Sequence, residues 1–297
     1  MIKETGYKTE DAVGQRQETD KEASPVKADL KDVFIAVISA WLCIGLYKMS
    51  GVFVRKVIAN TFAAYFVTQL IQVMLAFICA RLLSRNGLFR TDRRGRWGWV
   101  SAMPMILLTV YMLYTGIPLL RNATVSAAEL LLFIGQMLLI GLGEETIFRG
   151  IVQRTMHEFL GETGTGRVIA AVMLNGIVFG VTHLYNSFLS EVSLASAASQ
   201  AVLAAFIGMY LGAIYFRTGK NLVFVALVHG LYDMAAMING GRLSGNSIGS
   251  ILDEAGSVSY LGIVIEAAAY LLLTLIVLRP GRTAPLLKTE TAPAEES

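Results

Sequence analysis

The sequence predicts an all-α fold, a polytopic membrane bundle of about eight transmembrane helices. Its 297 residues are 55% hydrophobic and 16% charged, whereas soluble domains average about 25% charged residues. The mean hydropathy is +0.58. The apolar residues are concentrated in blocks of about 17–25, the length of a helix that crosses ~30 Å of hydrocarbon. Helices buried in globular proteins rarely recur at this length, so a soluble fold is excluded.

Eight apolar blocks follow one another along the chain. We place them at 33–50, 57–81, 99–120, 126–153, 167–187, 199–216, 221–239 and 258–278. The fourth is longer than a minimal crossing, so we expect it to extend beyond the membrane surface. The segments before and after the blocks, 1–32 and 279–297, are polar and charged and are expected to be disordered tails.

The distribution of Lys and Arg predicts how the bundle is oriented, because short cytoplasmic loops are enriched in these residues. The loop after the second block carries Arg81, Arg85, Arg90, Arg93, Arg94 and Arg96. If this loop is cytoplasmic, alternation along an even number of spans places both tails in the cytoplasm as well. Four basic residues run against this pattern: Lys48, Arg55, Lys56 and Arg121.

Two carboxylates and an arginine lie in the fourth block, in the stretch GLGEETIFRG at 141–150. Charged side chains in a span normally face the bundle interior or a water-filled cavity. Glu145 and Arg149 are four residues apart, so they share a helix face and can pair. Glu144 is about 140° from Arg149 around the helix and is left as a free carboxylate, a candidate general base. The simpler alternative is a pair of solvated charges at a helix end.

Two of the three histidines lie in apolar blocks, His183 in FGVTH and His229 in VFVALVHGLYD. A lone histidine is more often a core residue than a functional one, but two of them in the membrane favour a shared site. Asp233, four residues after His229, can accept a hydrogen bond from the imidazole and fix its tautomer. We expect the third histidine, His157, at the surface and Glu266 to have a partner on another helix.

A free carboxylate and two histidines are suited to activating water. The carboxylate takes a proton from water, and one histidine positions that water or binds a metal that acidifies it. The other histidine stabilises the oxyanion that forms when a carbonyl is attacked. GxSxG, HExxH and nucleotide-binding motifs are absent, as is a cysteine near a histidine, which argues against serine, cysteine and soluble zinc proteases.

Three short motifs in this order on membrane helices resemble the CPBP family of intramembrane endopeptidases, also called Abi proteins. That family includes the type II CAAX prenyl protease and relatives of lysostaphin-resistance proteins. The motifs are EExxxR (Glu144, Glu145, Arg149), FxxxH (Phe179, His183) and HxxxN/D (His229, Asp233). The resemblance assigns the chain a catalytic core at 126–240, preceded by membrane helices at 33–125 and followed by an extracytoplasmic loop and last helix at 241–278.

The resemblance implies an endopeptidase that cuts near a substrate's C-terminus or close to the membrane, in a conical intramembrane cavity open to the cytosol. Glu144 would then be the general base, and Glu145 with Arg149 would shape the site. His183 would help to activate the water. His229 with residue 233 would form the oxyanion site.

Residue 233 departs from the pattern, because it is Asp where eukaryotic members commonly have Asn. An ionised Asp cannot donate a hydrogen bond to an oxyanion, so Asp233 is better suited to orienting His229 or to binding a metal. The resemblance allows zinc or another divalent metal held by Glu144, His183 and His229, and equally a mechanism without metal.

The implied partners are a peptide or membrane-protein substrate and the lipid bilayer, with no nucleic acid. The short tails suggest a bacterial plasma-membrane protein, whose substrate would be a pheromone, a leader peptide or another membrane protein. Two alternatives stay open. One is a non-catalytic scaffold or bacteriocin-immunity protein of the same fold. The other is a proton- or cation-coupled transporter that uses Glu144, Glu145 and Glu266 as a relay.

Overall fold

The computed structural model describes residues 28–85, 87–189, 192–241, 243 and 260–287, and this part of the chain is helical with no strand. The helices are α1 (Leu30–Val57), α2 (Thr61–Leu82), α3 (Met103–Asn122), α4 (Ala127–Glu145), α5 (Arg154–Leu160), α6 (Thr165–Thr182), α7 (Tyr185–Leu189), α8 (Leu194–Arg217), α9 (Leu222–Asn239), α10 (Tyr260–Val277) and α11 (Pro280–Thr283). Within these described ranges, three short 3₁₀ turns lie at Arg93–Gly95, Gly98–Ala102 and Ala284–Leu286.

In the described part of the chain, eight helical segments are long and apolar enough to cross a membrane, which confirms the predicted all-α polytopic bundle. The first differs most from its predicted bounds, since it covers Leu30–Val57 rather than 33–50. Asp29 explains its early start: the side chain accepts from the backbone N–H of Asp32, whose own side chain accepts from the backbone N–H of Asp29. This reciprocal capping box satisfies donors at the first turn of the helix.

The fourth span is a continuous helical segment of 34 residues, Ala127–Leu160. It joins α4 to α5 through an eight-residue π-helix, Thr146–Gln153. At 1.5 Å per residue such a segment is longer than the hydrocarbon is thick, as its sequence predicted. π-Helical segments are rare and occur frequently at functional sites. This one begins directly after the two adjacent glutamates.

The spans alternate in direction, so their ends gather into two groups. The arginine-rich end contains the 83–97 loop, and contacts there join Asp92 N to Gly219 O (2.8 Å), Lys220 Nζ to Glu162 Oε1 (2.6 Å) and Arg85 to Glu158. The distal end contains the turn between α1 and α2, and contacts there join Asn60 to Glu129 (3.2 Å) and Thr115 to Asn239 (2.8 Å). The bundle therefore has an arginine-rich end and a distal end on opposite sides of the membrane-spanning region.

The predicted tails lie mostly outside the described residues, which exclude 1–27 and 288–297. Where the second tail is described it is helical rather than disordered, because it packs against the arginine-rich end. Leu286 is buried, Arg94 Nη1 donates to the Leu287 carbonyl at 3.4 Å, and Arg217 donates to the carbonyl of Arg282. The predicted extracytoplasmic loop also falls largely outside, at 244–259.

Glycines bring α4 and α9 into close contact in the middle of the bundle. A Cβ on Gly141 would lie 2.2 Å from the carbonyl oxygen of Ala226, and one on Gly230 would lie 2.6 Å from that of Met137. Small residues allow membrane helices to approach this closely. The contact places the end of α4, with its two glutamates, beside His229 on α9.

The expectation that His157 is a surface residue is wrong, since the side chain is 2% exposed. Its ring lies 5.6 Å from the ring of Phe216, between centroids, and its Nε2 is 3.2 Å from Gln153 Nε2. The fourth span continues as a helix to Leu160, which keeps His157 inside the bundle. This histidine lies outside the cavity described next.

Candidate active site

Glu145 is the fully buried one of the two adjacent glutamates, and its carboxylate contacts Arg149 and His229. Its Oε2 lies 3.0 Å from Arg149 Nε, and neither side chain is exposed to solvent. Its Oε1 lies 2.7 Å from Nδ1 of His229. A buried carboxylate requires this kind of pairing, because an uncompensated charge in a low-dielectric interior is strongly unfavourable. The i,i+4 pair with Arg149 has the geometry that the sequence predicted.

Arg149 is held in place by contacts on three sides. Besides Glu145, its Nη2 donates to the carbonyl oxygen of Gly208 at 2.9 Å. The guanidinium carbon lies 5.0 Å from the centre of the Phe179 ring, within the range of a cation–π interaction. Arg149 therefore joins the π-helix to α6 and α8.

His229 presents one ring nitrogen to Glu145 and the other to the cavity. Because a carboxylate can only accept, Nδ1–H donates to Glu145 and Nε2 is left without a proton in the neutral ring. Nε2 lies 3.5 Å from Asp233 Oδ2 and 3.9 Å from Glu144 Oε2. The sequence indicated Asp233 as the residue that orients this imidazole, but the shorter contact is with Glu145.

His183 follows the last residue of α6 and is oriented by its own helix. Its Nδ1 lies 3.2 Å from the carbonyl oxygen of Phe179, so Nδ1–H donates to that carbonyl. The Phe179 ring packs edge-on against His183 with centroids 4.9 Å apart and against His229 at 5.9 Å. Phe179 thus packs against both imidazoles, which accounts for the Phe of the FxxxH motif.

A cavity of about 400 Å³ brings together four of the six residues that the sequence singled out. Glu144, His183, His229 and Asp233 lie in its wall, whereas Glu145 and Arg149 lie behind it. The Glu144 side chain is 13% exposed and the Glu145 side chain 0%. Two consecutive glutamates therefore have different surroundings, one in the cavity and one in a buried ion pair.

The cavity extends from the middle of the bundle to its distal end. Its wall includes Arg55 and Tyr65, which flank the α1–α2 turn, and Leu189 and Val192, which flank the α7–α8 connection. None of the described residues of the arginine-rich loop lines it. The sequence predicted a cytoplasmic arginine-rich loop, and the resemblance implied a cavity open to the cytosol. These two expectations are incompatible, because the cavity lies at the distal end, opposite the arginine-rich loop.

The candidate metal ligands are not gathered into a binding group. Within the described ranges, no three His, Cys, Asp or Glu side chains are spaced so that they could hold one metal ion. Three protein ligands are the usual minimum for a catalytic zinc. Glu144, His183 and His229 line the same cavity without meeting this requirement.

The cavity also contains polar residues that the sequence did not assign to a site. Lys48 of α1 donates to Asn186 Oδ1 at 2.8 Å, and Asn186 Nδ2 donates to Gln200 Oε1 at 2.7 Å. The only signal for Lys48 was its conflict with the charge pattern of the loops. Glu266 has the interhelical partner expected for it, since Tyr232 OH donates to its Oε1 at 3.4 Å.

Comparison with known families agrees with this part of the molecule. Residues 126–235 match the family model described as Rce1-like, type II CAAX prenyl endopeptidase Rce1-like. The match covers all six residues singled out by the sequence, and it confirms the resemblance to the CPBP family over this segment. No curated protein and no solved structure matched the chain.

Proposed function

Because the chain carries an Rce1-like domain of the CPBP family in a multi-pass helical bundle, we propose that it is an intramembrane endopeptidase. It hydrolyses a peptide bond of a membrane-associated substrate by activating water between Glu144 and the two histidines. The observation that carries this proposal is the different placement of the two adjacent glutamates. Only Glu144 lines the cavity, beside His183 and His229.

Glu144 is the general base in this mechanism. Its carboxylate takes a proton from a water molecule in the cavity while the oxygen of that water attacks the substrate carbonyl. His183 Nε2, left free because Nδ1–H donates to Phe179, accepts a hydrogen bond from the same water and orients it. The proton held on Glu144 then passes to the nitrogen of the leaving amine, which breaks the peptide bond.

His229 is the group that faces the developing oxyanion. In its protonated form Nε2–H can donate to that oxygen, while Nδ1–H remains bound to Glu145. Preorganised donors of this kind stabilise the charge without reorganisation during the reaction. Glu145 fixes the ring and Arg149 compensates the charge of Glu145, so both act through His229 without touching the substrate. Asp233, 3.5 Å from Nε2, favours the protonated imidazole.

Cleavage by the purified full-length protein in liposomes tests the proposal. The substrate is a library of peptides anchored to the membrane by an apolar segment, and the products are identified by mass spectrometry. We expect cleavage at a defined bond and the same rate in the presence of a strong chelator, because the mechanism uses only residues of the chain. A rate that falls on chelation and returns with zinc would replace the water-activation step with metal chemistry.

The two alternative functions give different results in the same preparation. A scaffold or immunity protein would cleave no peptide in the library. A transporter would produce proton or cation flux across the liposome membrane without cleavage. Either outcome would contradict the proposed hydrolysis.

We also propose that the arginine-rich end is cytoplasmic and that the cavity therefore opens to the opposite face of the membrane. The concentration of Lys and Arg at the arginine-rich end supports this orientation. It replaces the cytosolic opening that the family resemblance implied. Substrates would then be exported peptides or the extracytoplasmic segments of membrane proteins.

Thiol labelling of intact cells tests the orientation. The background is a variant without the two buried cysteines, Cys43 and Cys79. Ala128→Cys introduces an exposed thiol at the distal end, and Gly166→Cys an exposed one at the arginine-rich end. We expect a membrane-impermeant maleimide to label position 128 and to label position 166 only after lysis. The reverse pattern would place the cavity on the cytoplasmic side.

A further inference from the structure

Lys48 is a cation in a membrane-spanning helix with its amino group directed into the cavity. It lies nine residues before the end of α1 at Val57, about 13 Å from that end at 1.5 Å per residue. A lysine near a helix end commonly extends its amine to the membrane surface. Here Nζ instead donates to Asn186, which is 1% exposed. The amine is therefore held in the interior by a buried partner.

Arg55 lies two helical turns further along α1 and lines the same cavity at its mouth. Its guanidinium carbon is 5.5 Å from the centre of the Tyr65 ring. Among the described residues, no acidic side chain forms an ion pair with Lys48 or with Arg55. The cavity wall thus has two cations without anionic partners, seven residues apart along one face of α1.

Lys48 is also close to the catalytic groups. It lines the same cavity as Glu144 and His183, and within the described ranges it forms no ion pair with the glutamate. A carboxylate of a bound peptide that contacts Lys48 would therefore lie within a few residues, along the peptide, of the bond that is cut. A lysine in a membrane span is unfavourable unless it has a function or a partner.

We propose that Lys48, with Arg55 at the mouth, binds a carboxylate of the peptide substrate and sets where the peptide is cut. This inference rests on the proposed peptidase function. The carboxylate is either the C-terminus of the peptide or an acidic side chain next to the cleaved bond. Both residues lie on α1, outside the matched segment 126–235, so the subsite is supplied by the part of the chain that carries no family motif. It also explains why two cations lie at the end of the bundle that has few of them.

Cleavage of matched peptides tests this subsite in the full-length protein in liposomes. One pair of peptides differs only in a free or amidated C-terminus, and a second pair only in Glu or Gln beside the cleaved bond. We expect the wild type to prefer one carboxylate-bearing peptide by roughly 10- to 100-fold in kcat/KM, the range for a hydrogen bond to a charged group. The pair that shows the preference identifies the source of the carboxylate.

Substitutions in α1 distinguish a loss of carboxylate binding from a general loss of folding. Lys48→Met should lose the preference for the carboxylate-bearing peptide over its neutral counterpart, whereas Lys48→Arg should retain it. Arg55→Met should reduce the preference by a smaller factor. Lys56→Met is the matched control, since Lys56 is an exposed neighbour on the same helix that does not line the cavity; it should leave the preference unchanged.

Three outcomes would overturn the inference. They are a wild type that cleaves all four peptides equally, a Lys48→Met variant that retains the preference, and a Lys48→Met variant that loses activity equally on charged and neutral peptides. In each case an inactive Glu144→Gln variant would show that the peptidase function itself still holds. A Glu144→Gln variant as active as the wild type would instead reject the proposed function.

Discussion

Replacing Glu144 by Gln should lower kcat/KM for peptide cleavage by roughly 10²- to 10⁴-fold, the usual contribution of a general base. The amide has nearly the same shape but cannot take a proton from water. The loss should appear mainly in kcat, because the proton transfer occurs only in the transition state. Folding should be unaffected, because the Glu144 carboxylate lies 3.9 Å from His229 Nε2, too far for a hydrogen bond. Cleavage rates and thermal unfolding in the same detergent provide the measurement.

Glu266→Gln is the matched control for that variant. Glu266 is also a carboxylate in a membrane span, but its partner is Tyr232 and it does not line the cavity. Its amide variant should retain the wild-type rate. If both variants kept full activity, the general-base assignment would be wrong. If Glu266→Gln alone were inactive, a proton relay through α10, the helix that carries Glu266, would be favoured instead.

The number and type of the membrane helices could be predicted from the sequence because both depend on local properties. Helix length and apolarity suffice to locate a span, and an i,i+4 spacing suffices to pair Glu145 with Arg149. The same local geometry separated Glu144 from its neighbour. Helix bounds were less accurate where capping by a residue such as Asp29 determined the start.

Other features of the site depend on contacts between distant parts of the chain. The bond between Glu145 and His229 joins residues 84 positions apart, and nothing in either motif indicates it. Lys48 and Asn186 are 138 positions apart, so Lys48 looked like an exception to the charge pattern of the loops. The location of the cavity at the distal end likewise follows from packing of several helices and not from any one motif.

Replacing Arg149 by Met should have the largest effect on stability. It would leave the carboxylate of Glu145, which is 0% exposed, with only His229 to compensate its charge. Breaking a buried ion pair by removing one partner typically destabilises by about 3–5 kcal/mol. Loss of the cation–π contact with Phe179 adds to this effect. We expect a clear fall in the thermal unfolding midpoint of the purified protein, together with loss of cleavage.

The double variant Glu145→Gln/Arg149→Met distinguishes stability from catalysis at the same pair. Removing both charges should restore most of the lost stability, because no uncompensated charge remains. Activity should stay low, because a neutral amide no longer stabilises protonated His229 as the carboxylate does. Arg154→Met is the control for removing an arginine from an i,i+4 pair, since its pair with Glu158 is partly exposed and is expected to contribute less than about 1 kcal/mol. A double variant with full activity would show that Glu145 and Arg149 serve only to stabilise the fold.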